Sequence, residues 1–283
     1  MKDHLSDNQT FIPKLGIGTW KIGGKLVPDY TNDQKEIESI QTALRLGLTH
    51  IDTAEKYGGG HAEELVGQAI SRFDRKKLFL TSKLEIQNLS SHEIREAFNL
   101  SLKRLKTDYL DLYLIHEYSK AELEKALSVF DQLVEEGVLR FIGVSNFSVE
   151  QIKEAQSFSK HKIFANEIEY NLLTRNHGQF SQNMETEILP FCRENGIQII
   201  AYRPLAKGNI FEHHKELFDY LQKKYQKTFS QIALNWLISK PGVSAIFKSS
   251  NPTHIEENLG ALGWTMDLSD IEILDNLEEQ FYE

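Results

Sequence analysis

The sequence predicts an α/β protein, a (β/α)8 TIM barrel with extra C-terminal helices. Two observations carry this prediction: eight short apolar runs alternate with helical patterns, and polar residues follow several of these runs. Alternating strands and helices imply parallel pairing through right-handed crossovers. A single barrel of this kind needs about 250 residues. One domain spanning 1–283 is therefore predicted.

Each predicted strand is a short and largely apolar run. The number of runs matches the eight strands of a closed barrel. They are Lys14 to Gly18, His50 to Ala54, Leu78 to Ser82, Leu110 to Ile115, Phe141 to Val144, Phe164 to Ile168, Ile197 to Ala201 and Val243 to Phe247.

Between most of these runs, apolar residues recur at helical spacing. The predicted helices there are Asp33 to Leu46, His61 to Ser71, His92 to Leu105, Ala121 to Glu136, Val149 to Ser157 and Glu185 to Glu194. After the seventh strand, His213 to Ser239 is predicted to form one or two helices, with an interruption near 227–230. Thr253 to Leu262 and Ser269 to Glu279 are predicted to add two more.

Residues that favour helix ends stand at the expected places. Ser148 with Gln151 three residues later forms a capping-box pattern at a helix start. Gly47, Gly137 and Gly196 stand where helices should stop, at positions that favour a left-handed backbone.

The composition excludes several classes of protein. With 32 Lys and Arg against 41 Asp and Glu, the net charge of −9 argues against nucleic acid or an anionic membrane as partner. No apolar run of about 18 residues occurs, and the start from Met1 to Asn8 is polar, so a cytoplasmic location is expected. The single cysteine, Cys192, cannot form an intrachain disulfide and is predicted to be a core residue.

Four polar residues stand at or just beyond strand ends: Asp52, Tyr57, Lys83 and His116. Because a (β/α)8 barrel gathers the C-terminal ends of its strands on one face, these side chains are expected to meet. Each alone has a structural explanation, such as a loop cap, a surface lysine or a structural histidine. Together they have the residue types of a proton-donating site.

These residue types fit reduction of a carbonyl group. Such a reduction needs a positioned acid at the oxygen, and tyrosine can serve if its pKa of about 10 is lowered. Lys83 is expected to lower the pKa by stabilising the phenolate, and Asp52 is expected to keep the lysine charged and in place. His116 is expected to hydrogen-bond the substrate oxygen and orient it.

The order and spacing of five motifs resemble the aldo-keto reductase family. The motifs are Leu15 to Trp20, Asp52 to Ala54 leading to Tyr57-Gly58, Thr81 to Lys83, Leu114 to His116, and Gly143 to Phe147. The resemblance implies that Asp52, Tyr57, Lys83 and His116 form a catalytic tetrad. Tyr57 would be the general acid in reduction and the general base in oxidation.

The same resemblance implies a nicotinamide cofactor extended across the top of the barrel. Ser145 and Asn146 would hold the nicotinamide carboxamide, and Tyr202 would stack on the ring. The chain has no Gly-x-Gly-x-x-Gly motif, and 58–60 is interpreted as a flexible loop. The complete set of implied cofactor residues is Gly18, Thr19, Ser145, Asn146, Glu167, Tyr202, Arg203, Leu205, Lys248, Ser249, His254, Glu257 and Asn258.

Three residues depart from the family pattern. His254 stands where an arginine binds the 2′-phosphate of NADPH, although Lys248 keeps one cation there, so NADP(H) is favoured over NAD(H). Glu167 stands where a glutamine contacts the carboxamide, and a carboxylate can only accept there. Arg203 replaces a serine and adds a charge that would meet pyrophosphate.

The predicted substrate is a small-molecule carbonyl compound. The sequence enters a helix soon after His116, as in prokaryotic members with short substrate loops, so the mouth should be open. Trp20 and Tyr118 are predicted to form an aromatic wall of the substrate pocket. The alternative for each residue is a structural role in packing at the rim of the barrel. No metal is expected, because the adjacent pair His213 and His214 does not share one helix face. The protein is expected to be a monomer.

Two classes of function follow. One is an NAD(P)H-dependent oxidoreductase that reduces aldehydes and ketones. The other is a cofactor-binding redox sensor or regulatory subunit on the same fold, because fold alone does not determine function. Measured turnover of carbonyl substrates distinguishes the two, because a sensor would bind the cofactor with negligible turnover.

Overall fold

The computed structural model describes residues 12–87, 89–180, 182–208 and 214–279. Eight parallel strands close a barrel in sequence order, which confirms the predicted fold class. The strands are β1 (Leu15–Gly18), β2 (His50–Asp52), β3 (Phe79–Leu84), β4 (Leu110–Ile115), β5 (Leu139–Ser145), β6 (Ile163–Glu169), β7 (Gln198–Tyr202) and β8 (Val243–Phe247).

Helices surround the barrel, and two of them follow the last strand, as predicted. The α-helices in the described residues are α1 (Asp33–Arg45), α2 (His61–Ile70), α3 (Ser91–Leu105), α4 (Leu123–Glu135), α5 (Val149–Phe158), α6 (Leu189–Glu194), α7 (Lys215–Tyr225), α8 (Phe229–Ser239), α9 (Pro252–Leu259) and α10 (Leu268–Asp275). No helix in these ranges is long and apolar enough to cross a membrane.

The predicted helix ends are largely confirmed. Ser148 and Gln151 form the capping box of α5, and Gly47, Gly137 and Gly196 have φ of 98°, 78° and 61°. The interruption after Tyr225 is also present, since Gln226 is left-handed and Thr228 caps α8. The predicted start of that region at His213 lies outside the described residues.

One predicted helix, Glu185 to Glu194, is not a uniform α-helix. It begins as a π-helix over Met184–Ile188 and becomes α6 only at Leu189. Pro190 has no backbone N–H, so it cannot continue the ordinary hydrogen-bond ladder at this point. Cys192 lies on α6 and is fully buried, which confirms the prediction of a core residue.

The barrel interior is apolar at its lower end and polar at its upper end. An internal cluster contains Phe79, Leu112, Leu114, Ala165, Ile200 and Ile246. Because side chains alternate along a strand, the inward series of β3 continues from Phe79 through Thr81 to Lys83. On β2 the same alternation places His50 and Asp52 on one side, and His50 donates to or accepts from Thr81 Oγ1 at 3.1 Å. The alternation therefore delivers charged groups to the C-terminal end of the barrel.

Candidate active site

The ammonium of Lys83 is the centre of the polar end of the barrel. Its Nζ forms an ion pair with Asp52 Oδ1 and donates to the carbonyl oxygen of Thr53 at 3.1 Å. Glu167 Oε2 lies 3.3 Å from the same Nζ. All three ionisable side chains are at most 4% exposed. Lys83 is thus a buried cation between two acidic groups, and not a surface lysine.

Tyr57 lies beside this cation, at the start of a tight turn that follows β2. Its ring centre is 5.3 Å from Lys83 Nζ, 4.9 Å from the ring centre of Trp20 and 5.7 Å from that of His116. The four residues predicted to form the catalytic tetrad, Asp52, Tyr57, Lys83 and His116, are therefore brought together.

The segment after Tyr57, interpreted from the sequence as a flexible loop, has regular local structure. Tyr57–Gly60 forms a 3-10 turn in which Gly58, Gly59 and Gly60 have φ of 57°, 61° and 97°. The amide of Gly58 donates to the carbonyl oxygen of Lys25 at 3.0 Å. A Cβ at Gly58 would lie 2.3 Å from the carbonyl oxygen of Gly23. Glycine is needed here because the backbone is left-handed and another chain segment approaches closely.

Burial and charge set the protonation of the site. Burial opposes the charge on Lys83, but Asp52 and Glu167 outweigh burial and raise its pKa, so the ammonium stays charged. Burial, with a smaller contribution from Lys83, holds the pKa of His116 well below its usual value, so its imidazole is neutral at pH 7. Burial raises the pKa of Tyr57, and Lys83 offsets only part of this rise. The expected net lowering of the Tyr57 pKa is therefore not present in this structure.

The residues implied to hold the nicotinamide form a contiguous group at the ends of β5, β6 and β7. Asn146 follows β5 with φ 60°, and its amide nitrogen donates to Ser145 Oγ at 3.2 Å. The hydroxyl of Tyr202 donates to Asn146 Oδ1 at 3.0 Å. The backbone N–H of Asn146 donates to the carbonyl oxygen of Glu167 at 2.8 Å. Glu167 therefore links this group to Lys83.

A second group of implied cofactor residues lies after β8. Lys248 Nζ donates to Ser250 Oγ at 2.8 Å, and burial lowers the Lys248 pKa. The Ser249 hydroxyl accepts from the backbone N–H of Asn251 at 3.1 Å, just before α9. His254 is exposed on the first turn of α9, Glu257 is partly exposed, and Asn258 is buried.

Arg203 already has a protein partner. Its Nη1 lies 3.2 Å from both carboxylate oxygens of Glu169, and its guanidinium carbon lies 5.4 Å from the ring centre of Phe180. Leu205, two residues later, packs against the hydrophobic core. The role of Arg203 toward pyrophosphate and the contact of Leu205 with the cofactor stay predictions.

The site has polar atoms that suit a bound nucleotide. Thr19, next to Gly18 at the end of β1, donates its backbone N–H to the Asp52 carbonyl oxygen at 3.0 Å. Within the described ranges, Thr19 Oγ1 and His116 Nδ1 are buried and have no hydrogen-bond partner. Buried polar atoms are normally paired, so such atoms at a barrel mouth indicate a place for a polar ligand. These residues fit a nicotinamide nucleotide.

The two aromatic residues predicted for the substrate wall have different surroundings. Trp20 packs edge-on against Tyr57 at the mouth. The Tyr118 hydroxyl donates to Glu154 of α5 at 2.6 Å, and its ring packs against Phe147. Both assignments to the substrate wall stay predictions.

The β1–α1 connection carries exposed apolar residues near the Tyr57 turn, and no sequence motif pointed to them. Leu26, Val27 and Tyr30 are 56%, 72% and 66% exposed. The hydrogen bond between Gly58 and Lys25 places this segment beside the Tyr57 turn. The signal that could have identified them is the presence of several large apolar residues in a segment predicted to be a connection between a strand and a helix.

Comparisons with known proteins agree with the fold. The family model "Aldo/keto reductase family" matches residues 14–279. Methylglyoxal reductase YeaE of Escherichia coli (strain K12) is 31% identical over 268 residues, covering 93% of this chain and 90% of the relative.

Two solved structures share the architecture. One, of a thermostable aldo-keto reductase, Tm1743, bound to the inhibitor epalrestat, has a TM-score of 0.88 and 41% identity over 93% of this chain and 94% of the other. The other is an aldo/keto reductase from Klebsiella pneumoniae in complex with NADP and acetate. It has a TM-score of 0.83 and 32% identity over 93% of this chain and 90% of the other. The chain belongs to the aldo/keto reductase family.

Proposed function

We propose that this protein is an NAD(P)H-dependent reductase that converts small aldehydes and ketones to alcohols. The observation that carries the proposal is the buried Lys83–Asp52 ion pair beside Tyr57 and His116. The relative named as a methylglyoxal reductase supports small carbonyl compounds as the substrate class. The short connection between His116 and α4 agrees with a substrate that needs little enclosure.

The chain's own residues would protonate and orient the substrate. Ser145, Asn146, Tyr202 and Lys248 would hold the cofactor, which supplies a hydride to the carbonyl carbon when bound. The Tyr57 hydroxyl donates its proton to the carbonyl oxygen, and the Lys83 ammonium stabilises the phenolate that remains. In alcohol oxidation Tyr57 accepts the proton.

Asp52 and His116 support the role of Tyr57 as the acid. Asp52 holds the Lys83 ammonium in place and charged. A neutral His116 can donate one hydrogen bond to the substrate oxygen, whereas a charged imidazolium beside Lys83 would be disfavoured in this buried place. Tyr57 thus donates the proton, Lys83 and Asp52 stabilise the charge that develops, and His116 orients the substrate.

NADP(H) is the proposed cofactor, in preference to NAD(H). Lys248 supplies a cation after β8, where the 2′-phosphate of NADP(H) would bind, and a Klebsiella pneumoniae family member was solved with NADP. His254, exposed on the first turn of α9, adds a second group near the proposed phosphate site.

Tyr57→Phe tests the proposal, with Tyr220→Phe as the matched control on exposed Tyr220 of α7. Reduction of methylglyoxal and an aromatic aldehyde is followed with NADPH and NADH. Because a positioned general acid contributes roughly 10²–10⁴-fold, kcat should fall at least 100-fold in Tyr57→Phe, while cofactor binding and the control stay unchanged. Turnover within a few-fold of wild type would exclude Tyr57 as the acid. Cofactor binding without wild-type turnover on any carbonyl would support the regulatory alternative.

A further inference from the structure

Two carboxyl groups share one ammonium at the polar end of the barrel. Asp52 and Glu167 both contact Lys83 Nζ, and both are buried. In the described part of the chain, no other lysine or arginine pairs with either carboxyl group. If both carboxyl groups were ionised, this buried group of three would carry a net charge of −1. An uncompensated buried charge is costly, so the arrangement favours one retained proton.

Glu167 is the member of the pair that holds this proton. Burial raises the pKa of both carboxyl groups, and the charge of Asp52 raises that of Glu167 further, well above its usual value. Asp52 is the closer partner of Lys83 and keeps its negative charge through that ion pair. Because the two carboxyl groups interact, they titrate together as a pair. The one proton that the pair retains resides mainly on Glu167.

The other ionisable groups around Glu167 do not compensate its charge. His116 of the β4 end is neutral, and Arg203 after β7 is paired with Glu169. Tyr57 and Tyr202 keep their protons, because burial raises the pKa of both. The groups that face this corner of the barrel are Asp52 from β2, Tyr57 from the following turn, Lys83 from β3, His116 from the end of β4, Glu169 from β6, and Tyr202 and Arg203 from β7 and its end.

Glu167 also lies beside the residues proposed to hold the nicotinamide. The carbonyl oxygen of Glu167 accepts a hydrogen bond from the backbone N–H of Asn146. Glu167 of β6 is also in register with Ser145 of β5. An oxidised nicotinamide ring carries a positive charge, and a reduced ring is neutral. A carboxylate at this place would attract the oxidised ring, and a protonated carboxyl would not.

We propose that Glu167 couples its protonation to the oxidation state of the bound cofactor. The Glu167 carboxyl keeps its proton beside a reduced cofactor and releases it to solvent when an oxidised cofactor binds. Only the O–H bond of the carboxyl breaks, and water or buffer takes the proton. This inference rests on the proposed function, and the glutamine of the family pattern cannot act in this way because it has no titratable proton.

Linkage fixes the sign of the effect. Oxidised cofactor prefers the carboxylate, so its affinity relative to reduced cofactor rises with pH through the titration of the pair. One charge in a partly screened site would change this affinity ratio about tenfold. The 2′-phosphate and adenosine are common to both forms of the cofactor, so their own titration cancels in the ratio.

The test is a fluorescence titration of NADP⁺ and NADPH binding to wild type, Glu167→Gln and the control Glu124→Gln, at an exposed position of α4, between about pH 6 and 9.5. The ratio of the two dissociation constants should change about tenfold in wild type and in the control, and should be flat in Glu167→Gln. A ratio that does not change with pH in wild type would overturn the inference, as would the same pH dependence in Glu167→Gln.

A second measurement needs no variant, in case Glu167→Gln does not fold. Calorimetry of wild type in two buffers of different ionisation enthalpy should show proton release with NADP⁺ and none with NADPH. Equal proton exchange with both would overturn the inference while leaving the reductase proposal intact. No binding of either cofactor at any pH would overturn the proposed function, and this inference with it.

Discussion

His254 is a single side chain on which we expect the choice of cofactor to depend. It is exposed on the first turn of α9, next to the segment that carries Lys248 and Ser249. An imidazole is neutral for much of the time near pH 7, whereas a guanidinium is always charged and presents several donors to a phosphate. An imidazole would therefore be a weaker phosphate ligand than the arginine of the family pattern.

His254→Arg should tighten NADPH binding about tenfold and leave NADH binding nearly unchanged, since only NADPH carries the extra phosphate. Dissociation constants from fluorescence titration at constant salt provide the measurement. Thr253→Arg is the matched control, because it adds the same charge at the neighbouring exposed position. If both cofactors gained equally in His254→Arg, the side chain would not lie at the phosphate.

At the scale of one element, the Tyr57–Gly60 turn sets the position of the proposed acid. Its left-handed glycines let the chain reverse within four residues, directly before α2. The close approach of Gly58 to the Gly23 carbonyl oxygen joins the turn to the β1–α1 connection. Substitutions that change this contact should therefore move Tyr57.

Gly58→Ala should lower the free energy of unfolding by about 1–3 kcal/mol and reduce kcat, because its Cβ would clash with the Gly23 oxygen. Gly59→Ala is a matched control: it has a similar positive φ of 61°, but its nearest contact is Pro28 Cδ at 3.4 Å. Denaturant unfolding and steady-state kinetics compare the two variants. Equal losses in both would show that the backbone conformation alone matters, and not the contact with Gly23.

For the molecule as a whole, local patterns predict the fold better than they predict contacts across the barrel. Alternation of strands and helices determined the closed barrel, and Ser148 with Gln151 identified a helix start correctly because capping involves neighbours in sequence. The contact of Glu167 with Lys83 joins β6 to β3 across the barrel interior. The two residues are far apart in sequence, so no local sequence pattern indicates that they are in contact. The sequence therefore identified both residues but missed their contact.

The same limit applies to the pKa of Tyr57. The presence of a nearby lysine was predictable from motif order, and the sequence predicted a lowered tyrosine pKa. Burial, which the packing of the whole barrel mouth determines, has the larger effect and raises it.

Global stability should depend on pH through a partly buried acid next to the site. Glu55 accepts a hydrogen bond from the backbone N–H of Glu85 at 2.7 Å, and burial raises its pKa from 4.5 to about 7. Since the folded pKa lies above the unfolded one, this group favours folding fully below about pH 4.5. Its contribution is lost as pH rises to about 7.

Glu55→Gln should therefore become more stable relative to wild type as pH rises from 4.5 to 8. A shift from 4.5 to about 7 corresponds to at most about 3 kcal/mol. The glutamine amide oxygen can still accept the Glu85 N–H, so the substitution removes the charge and keeps the hydrogen bond.

Urea unfolding at several pH values gives the difference in free energy of unfolding. Glu124→Gln, at an exposed position of α4, makes the same chemical change on the surface and should show no such trend. Parallel pH curves for Glu55→Gln and wild type would show that Glu55 does not ionise in this range in the folded protein.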